Sequence, residues 1–239
     1  MKYVAEQDRK FTDMGSVKVY HSIYPEVYPV SDNGWGRVIK FDNKHILAGG
    51  QEVQSFVGSP IQIIRMMING AASYYDSTGY RTVLGDSDIL LINTGNEVLQ
   101  SVLDNAEQNE DNELIEIWLQ SNDSDKKYEF HSGPAKRKTG RFYTLIAPEQ
   151  TCKEYPEQKK WLRIGSFAMG SSYEIKNVPA GHSVILFVLN GSATANGNDL
   201  AYRDTIIFCN KDIQLDFEAA ADIFFMQVET AEINKEVIK

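Results

Sequence analysis

Cysteine is nearly absent from this chain of 239 residues: Cys152 and Cys209 are the only two. Two distant thiols with no export signal read as reduced side chains, not as a disulfide framework. The opening residues, Met1-Lys2-Tyr3-Val4-Ala5-Glu6-Gln7-Asp8, hold no apolar stretch and turn acidic at once, so the expected location is the cytoplasm. Long apolar runs are also missing. Val184 to Leu189 is the longest, against the roughly 20 residues of a membrane-spanning helix, so no membrane role is expected. Positive charge is short, with 24 Lys and Arg against 33 Asp and Glu and a net charge of −9. That balance argues against nucleic acid and anionic membranes as partners. The one basic cluster, Lys136, Arg137, Lys138 and Arg141, is bracketed by Pro134 and Gly140 and reads as a solvated loop. Histidine occurs four times, at positions 21, 45, 131 and 182, never as His-x-His or His-x-x-x-His. The expected role of each is solvated or hydrogen-bonded. A Gly-x-Ser-x-Gly elbow, a phosphate-binding Gly-x-x-x-x-Gly-Lys-Ser/Thr loop and a Gly-x-Gly-x-x-Gly turn are all lacking.

What is present is strand-forming. Hydrophobic residues make up 42% of the chain, enough for a core. Ile213-Gln214-Leu215-Asp216-Phe217 alternates, as does Leu114 to Ile117, with Glu116 expected to face outward. Ile61 to Ile68, Val184 to Leu189, Ile206 to Phe208 and Ile223 to Val228 are short apolar runs rich in β-branched and aromatic residues. Turn residues bound them, including Asn69-Gly70, Asn93-Thr94-Gly95, Asn190-Gly191 and Asn196-Gly197. Asp86 and Asp88 belong to such a turn. The pattern predicts an all-β chain of sandwiches or barrels. The chain also repeats itself. Ile68-Asn69-Gly70 precedes a turn at Gly79 and then Asp88-Ile89-Leu90-Leu91; Leu189-Asn190-Gly191 precedes a turn at Gly197 and then Asp204-Thr205-Ile206-Ile207. Gly70 and Gly191 are 191 − 70 = 121 residues apart, about half the chain. Two tandem copies of one β-domain follow, assigned to residues 1–135 and 136–239.

The sequence resembles the pirin family of bicupins, in which two jelly-roll (RmlC-like) cupin domains share one chain. Gly15 to Ser22 and Gly34-Trp35-Gly36-Arg37-Val38 are similar to the family's N-terminal stretches. Asp76-Ser77-Thr78-Gly79 matches its Asp-Ser-x-Gly turn, Ile68-Asn69-Gly70 stands for Leu-Glu-Gly, and Leu145-Ile146-Ala147 and the second repeat are similar to its C-terminal cupin. The resemblance implies a metal in the first cupin, held by a His-x-His and a His-x-Glu pair. Alternate residues on a strand point the same way, so each pair reaches into the barrel. Counted from Gly70 and Gly95, those positions fall on Phe56 and Gly58 and on Gln100 and Val102; the general cupin motif from Gly50 adds Gln62. None is a good ligand for a transition metal, and no cofactor is expected.

These readings point to a metal-free pirin-like bicupin that binds a small molecule or regulates, without the family's quercetin 2,3-dioxygenase activity. Phe56, Gly58, Gln62, Gln100 and Val102 are expected to line a pocket suited to a neutral small molecule. Alternatives are a cupin enzyme, either a dioxygenase with a relocated metal or a metal-free isomerase or lyase, and a protein-interaction module with an unspecified partner. Cys152, with Lys153 beside it, is the better of the two thiols for redox chemistry.

Overall fold

The computed structural model describes residues 1–24, 38–57, 60–96, 98–105, 107, 109–121, 125–132, 139–146 and 160–229. They form strands almost throughout. In chain order these are β1 (Lys2–Val4), β2 (Lys10–Asp13), β3 (Val17–Ile23), β4 (Val38–Ile46), β5 (Gln51–Phe56), β6 (Ile61–Asn69), β7 (Ala72–Asp76), β8 (Arg81–Leu84), β9 (Ile89–Asn93), β10 (Leu99–Asp104), β11 (Asn112–Gln120) and β12 (Lys127–His131). The second half contributes β13 (Arg141–Ile146), β14 (Lys160–Phe167), β15 (Ser172–Ile175), β16 (His182–Asn190), β17 (Ala193–Ala195), β18 (Asn198–Leu200), β19 (Thr205–Cys209), β20 (Ile213–Asp216) and β21 (Ala221–Glu229). A single 3-10 turn, Glu6–Asp8, is the only helical element among the described residues, and no helix there could cross a membrane.

The chain divides into two compact units, each a sandwich of two sheets rather than a closed barrel. In the first, a seven-stranded sheet, β12-β9-β6-β11-β4-β3-β2, faces a four-stranded sheet, β5-β10-β7-β8. Val17, Val19, Ile46, Ile63, Met67, Leu90, Ile92 and Leu114 from the large sheet meet Phe56, Ala72, Tyr74, Leu84, Leu99 and Leu103 from the small one. In the second, β1-β19-β16-β21-β14-β13 faces β15-β20-β17-β18. Its core is apolar, from Val184, Leu186 and Val188 on β16 to Ile213, Leu215 and the following Phe217. The alternation at 213–217 is thus realised.

The division corrects one sequence assignment. The second unit comprises Met1–Arg9 together with Pro134–Lys239, and the first takes Lys10–Tyr28 and Val38–Gly133. The N-terminal strand, counted on sequence with the first domain, pairs antiparallel with β19, Lys2 opposite Ile207.

The internal repeat survives at the level of single hydrogen bonds. Asp88 and Asp204 each accept a backbone N–H from three residues back, Gly85 at 2.9 Å and Ala201 at 2.8 Å. The residue before each aspartate is left-handed, Ser87 at φ 64° and Arg203 at φ 67°. Its N–H donates to Met67 in one copy and to Val188 in the other. Gly70 and Gly191 also have positive φ, +83° and +72°. A Cβ there would fall 2.1 Å from Asn112 Oδ1 and 1.9 Å from the Ala220 carbonyl oxygen. Both Asn-Gly turns therefore require glycine twice over, for backbone angle and for space.

Candidate functional site

The interior of the first sandwich carries a buried ion network. Pairing of β3, β4, β11 and β6 sets the rows: His21 opposite Asp42, Asp42 opposite Glu116, and Glu116 opposite Arg65. Strand parity sends these side chains, with Lys40, Lys44 and Trp118, to the face that meets the small sheet. Glu116 is fully buried at the centre. Its Oε1 accepts from Lys44 Nζ at 2.7 Å and Trp118 Nε1 at 2.9 Å; its Oε2 accepts from Arg65 Nε at 2.8 Å. From the small sheet, Glu52 accepts from Lys44 at 2.5 Å, and Gln54 accepts from Arg65 Nη2 at 2.7 Å while donating to Glu52 at 2.8 Å. Lys40 lies 2.6 Å from Asp42 Oδ2 and 4.4 Å from the Trp118 ring centroid. Three cations thus meet three carboxylates, so the cluster is close to neutral. Burial drives the Glu116 carboxyl upward, but the charges of Lys44, Arg65 and Lys40 outweigh it and hold the group well below its ordinary value. The outward-facing Glu116 read from the sequence is corrected: the strand's alternation is real, but both faces of β11 are buried.

Three polar atoms in this interior find no protein partner: Glu52 Oε2, Arg65 Nη1 and Ser101 Oγ. Glu52, Arg65 and Ser101 are 3%, 1% and 1% exposed. A buried polar group without a hydrogen bond costs about 1–3 kcal/mol, so two donors and an acceptor stand ready for water or a small polar molecule. Beside them, Phe56 packs edge-on against Trp118 at 5.3 Å between centroids, and Ile61, Tyr80, Trp118 and Tyr128 are partly buried against the same core. Tyr80 stacks on Tyr128 at 4.1 Å. Asp76 accepts from the Tyr74 hydroxyl at 2.9 Å and the Thr78 hydroxyl at 2.6 Å. Burial and the neighbouring Asp76 carboxylate both push the Tyr74 phenol upward, although the Arg65 charge opposes them.

The residues singled out on sequence do not all meet here. Phe56 lies in the core at the end of β5. Gly58 is outside the described residues. Gln100 is exposed and Val102 half-buried, because β10 runs one residue out of phase with the sequence count: Leu99, Ser101 and Leu103 are the buried set. The register settles it, with Leu99 opposite Phe56, Ser101 opposite Gln54 and Leu103 opposite Glu52. Gln62 is buried but stands on the other face of β6 from Ile63 and Arg65. The interior near Phe56 is consequently ionic. Cys152 lies outside the described residues; Cys209 accepts a hydrogen bond from Ser183 Oγ at 3.3 Å.

The described residues of this interior do not form a ligand set for a transition metal. The two facing strands present Glu52, Gln54 and Phe56 against Leu99, Ser101 and Leu103, and Glu52 is engaged by Lys44. The histidines are dispersed. His21 Nδ1 is 2.7 Å from Asp42 and its Nε2 is 3.0 Å from Thr12 Oγ1; His45, His131 and His182 lie on β4, β12 and β16. Among the described residues no three His, Cys, Asp or Glu side chains are placed to hold a metal ion.

No family model and no curated protein matches the chain. Solved structures do. YhhW from Escherichia coli superposes with a TM-score of 0.82 at 14% identity, over 96% of this chain and 98% of that one. The bacterial pirin YhhW in complex with nickel(II) gives 0.81, also at 14%, over 96% and 99%. A quercetin 2,3-dioxygenase from Acinetobacter baumannii gives 0.77 at 14%, over 96% of this chain and 86% of that one. In fold, the chain is a bicupin similar to the pirins and to the quercetin 2,3-dioxygenase.

Proposed function

We propose that this protein is a metal-free, cytoplasmic, pirin-like bicupin that binds a small, neutral, polar molecule in its first sandwich and lacks quercetinase activity. One observation carries the reading. Where strand parity directs side chains of β5 and β10 into the interior, the residues are Glu52, Gln54, Phe56, Leu99, Ser101 and Leu103, tied to a charge-balanced network around Glu116. A charge-balanced interior has no net charge to favour an anion over a cation, whereas Arg65 Nη1, Ser101 Oγ and Glu52 Oε2 suit a ligand with both acceptor and donor atoms. The aromatic flank of Phe56, Trp118, Tyr80 and Tyr128 would cover its apolar part.

The test begins with elemental analysis of protein purified without chelator and without a metal-affinity tag. No stoichiometric transition metal is expected, and quercetin-dependent dioxygen uptake should not exceed that of boiled protein. One equivalent of iron, nickel, copper, manganese or zinc per chain, or chelator-sensitive turnover, would overturn the reading.

A further inference from the structure

The second sandwich holds a set of polar groups that its apolar core does not explain. On the core-facing side of β14, Trp161 and Arg163 share the parity of Phe167, which lies in the core. Trp161 is opposite Gln227 and Arg163 is opposite Phe225. Gln227 is in turn opposite Val184, with His182 one pleat further along β16. Gln227 is therefore a direct neighbour of Trp161 and a diagonal neighbour of Arg163 and His182, within about 5–8 Å at the Cβ atoms, while Arg163 and His182 stand on opposite sides of β21. The Trp161 and His182 rings are 6.1 Å apart.

The partners of these groups are incomplete. Arg163 stacks over the Phe225 ring at 5.1 Å, pairs with no carboxylate among the described residues, and leaves its Nε buried without a hydrogen bond. His182 is 9% exposed, and its Nε2 is also buried without a partner. Its Nδ1 is 3.4 Å from the Ala180 carbonyl oxygen. Glu229, opposite His182 at the rim, forms no ion pair with either residue. Burial pulls the Arg163 guanidinium downward, the expected direction for a half-buried cation with no carboxylate beside it.

We infer that this end of the second sandwich binds a small organic carboxylate, with Arg163 as its charge partner, Gln227 as a hydrogen-bonding group, and Trp161 against its apolar part. A guanidinium matches the planar carboxylate in geometry as well as charge. An indole offers a flat apolar surface. This site is separate from the one proposed in the first sandwich.

The full-length protein would be titrated with benzoate and with its neutral counterpart benzamide, followed by ligand-observed NMR. Saturable benzoate binding is expected, at least about tenfold tighter than benzamide, as a charge-assisted hydrogen bond implies. Arg163→Gln should abolish that preference, and Gln227→Glu should weaken benzoate by a similar factor, whereas Arg81→Gln should change neither. If Arg163→Gln does not fold, Gln227→Glu decides. Absence of saturable binding to the unaltered protein, or a preference that persists in Arg163→Gln or in Gln227→Glu, would overturn the inference.

Discussion

Glu116 is the residue on which the first sandwich depends most. It is the common acceptor for Lys44, Arg65 and Trp118, and all of it is buried. Replacing a buried ion pair with apolar groups can be neutral, but removing one partner strands the others. Glu116→Gln should therefore lower stability by about 3–5 kcal/mol in urea unfolding, because Lys44 and Arg65 keep their charges in a dry interior. The pH dependence follows with a definite sign. The folded-state carboxyl is held well below the ordinary 4.5. Its contribution is present above that ordinary value and is lost as pH falls from it through the folded-state value. Acid unfolding should be steep below 4.5 in the native protein and shallower in Glu116→Gln.

At the scale of the element, the three Asn-Gly turns offer a graded experiment. Gly197 has positive φ, +75°, with open space where a Cβ would sit, whereas a Cβ at Gly191 meets the Ala220 backbone. Gly197→Ala should cost about 1 kcal/mol, the price of the backbone angle alone. Gly191→Ala adds a backbone clash and should cost ~3 kcal/mol or more. Gly70→Ala should fall between them, since its obstacle is the Asn112 side chain. Thermal unfolding of the three variants gives the order. These turns were legible in the sequence because Asn-Gly and the following aspartate are local signals. The strands β6 and β16 were legible because long β-branched runs are. The face that each strand presents was not. Gln100 and Val102 were placed inside by counting from distant glycines, and the count slipped by one residue; pairing with β5 sets the phase. The ion network leaves a trace in the sequence: Arg65 interrupts the apolar run 61–68 and Glu116 interrupts 114–119. Opposite charges stranded in two apolar strands point to cross-strand partners.

At the scale of the whole molecule, the N-terminal strand belongs to the half of the chain made last. Asp204 gathers it in, accepting from the Tyr3 hydroxyl at 2.5 Å and the Glu6 backbone N–H at 2.8 Å as well as from its own turn. Burial, and then the Asp204 carboxylate, push the Tyr3 phenol from 10.0 up to about 12. A raised phenol stabilises the fold below 10 and loses that effect as pH rises through about 12. Alkaline unfolding should therefore begin at lower pH than in Tyr3→Phe, a variant that cannot ionise there. Deleting residues 1–9 uncovers β19 and should lower the melting temperature of the second sandwich while leaving the first intact, as residue-resolved hydrogen exchange would show.

The pairing of Lys2 with Ile207 also sets a timetable. On the ribosome, Lys2 emerges 207 − 2 = 205 residues ahead of its partner Ile207. At a synthesis rate of about 5–20 residues per second, the interval is roughly ten to forty seconds. Throughout it, the first sandwich can fold while the leading residues wait with an unpaired edge. A chaperone or a fused tag that holds the N-terminus would thus act on the second sandwich, although it touches the residues farthest from it in the chain.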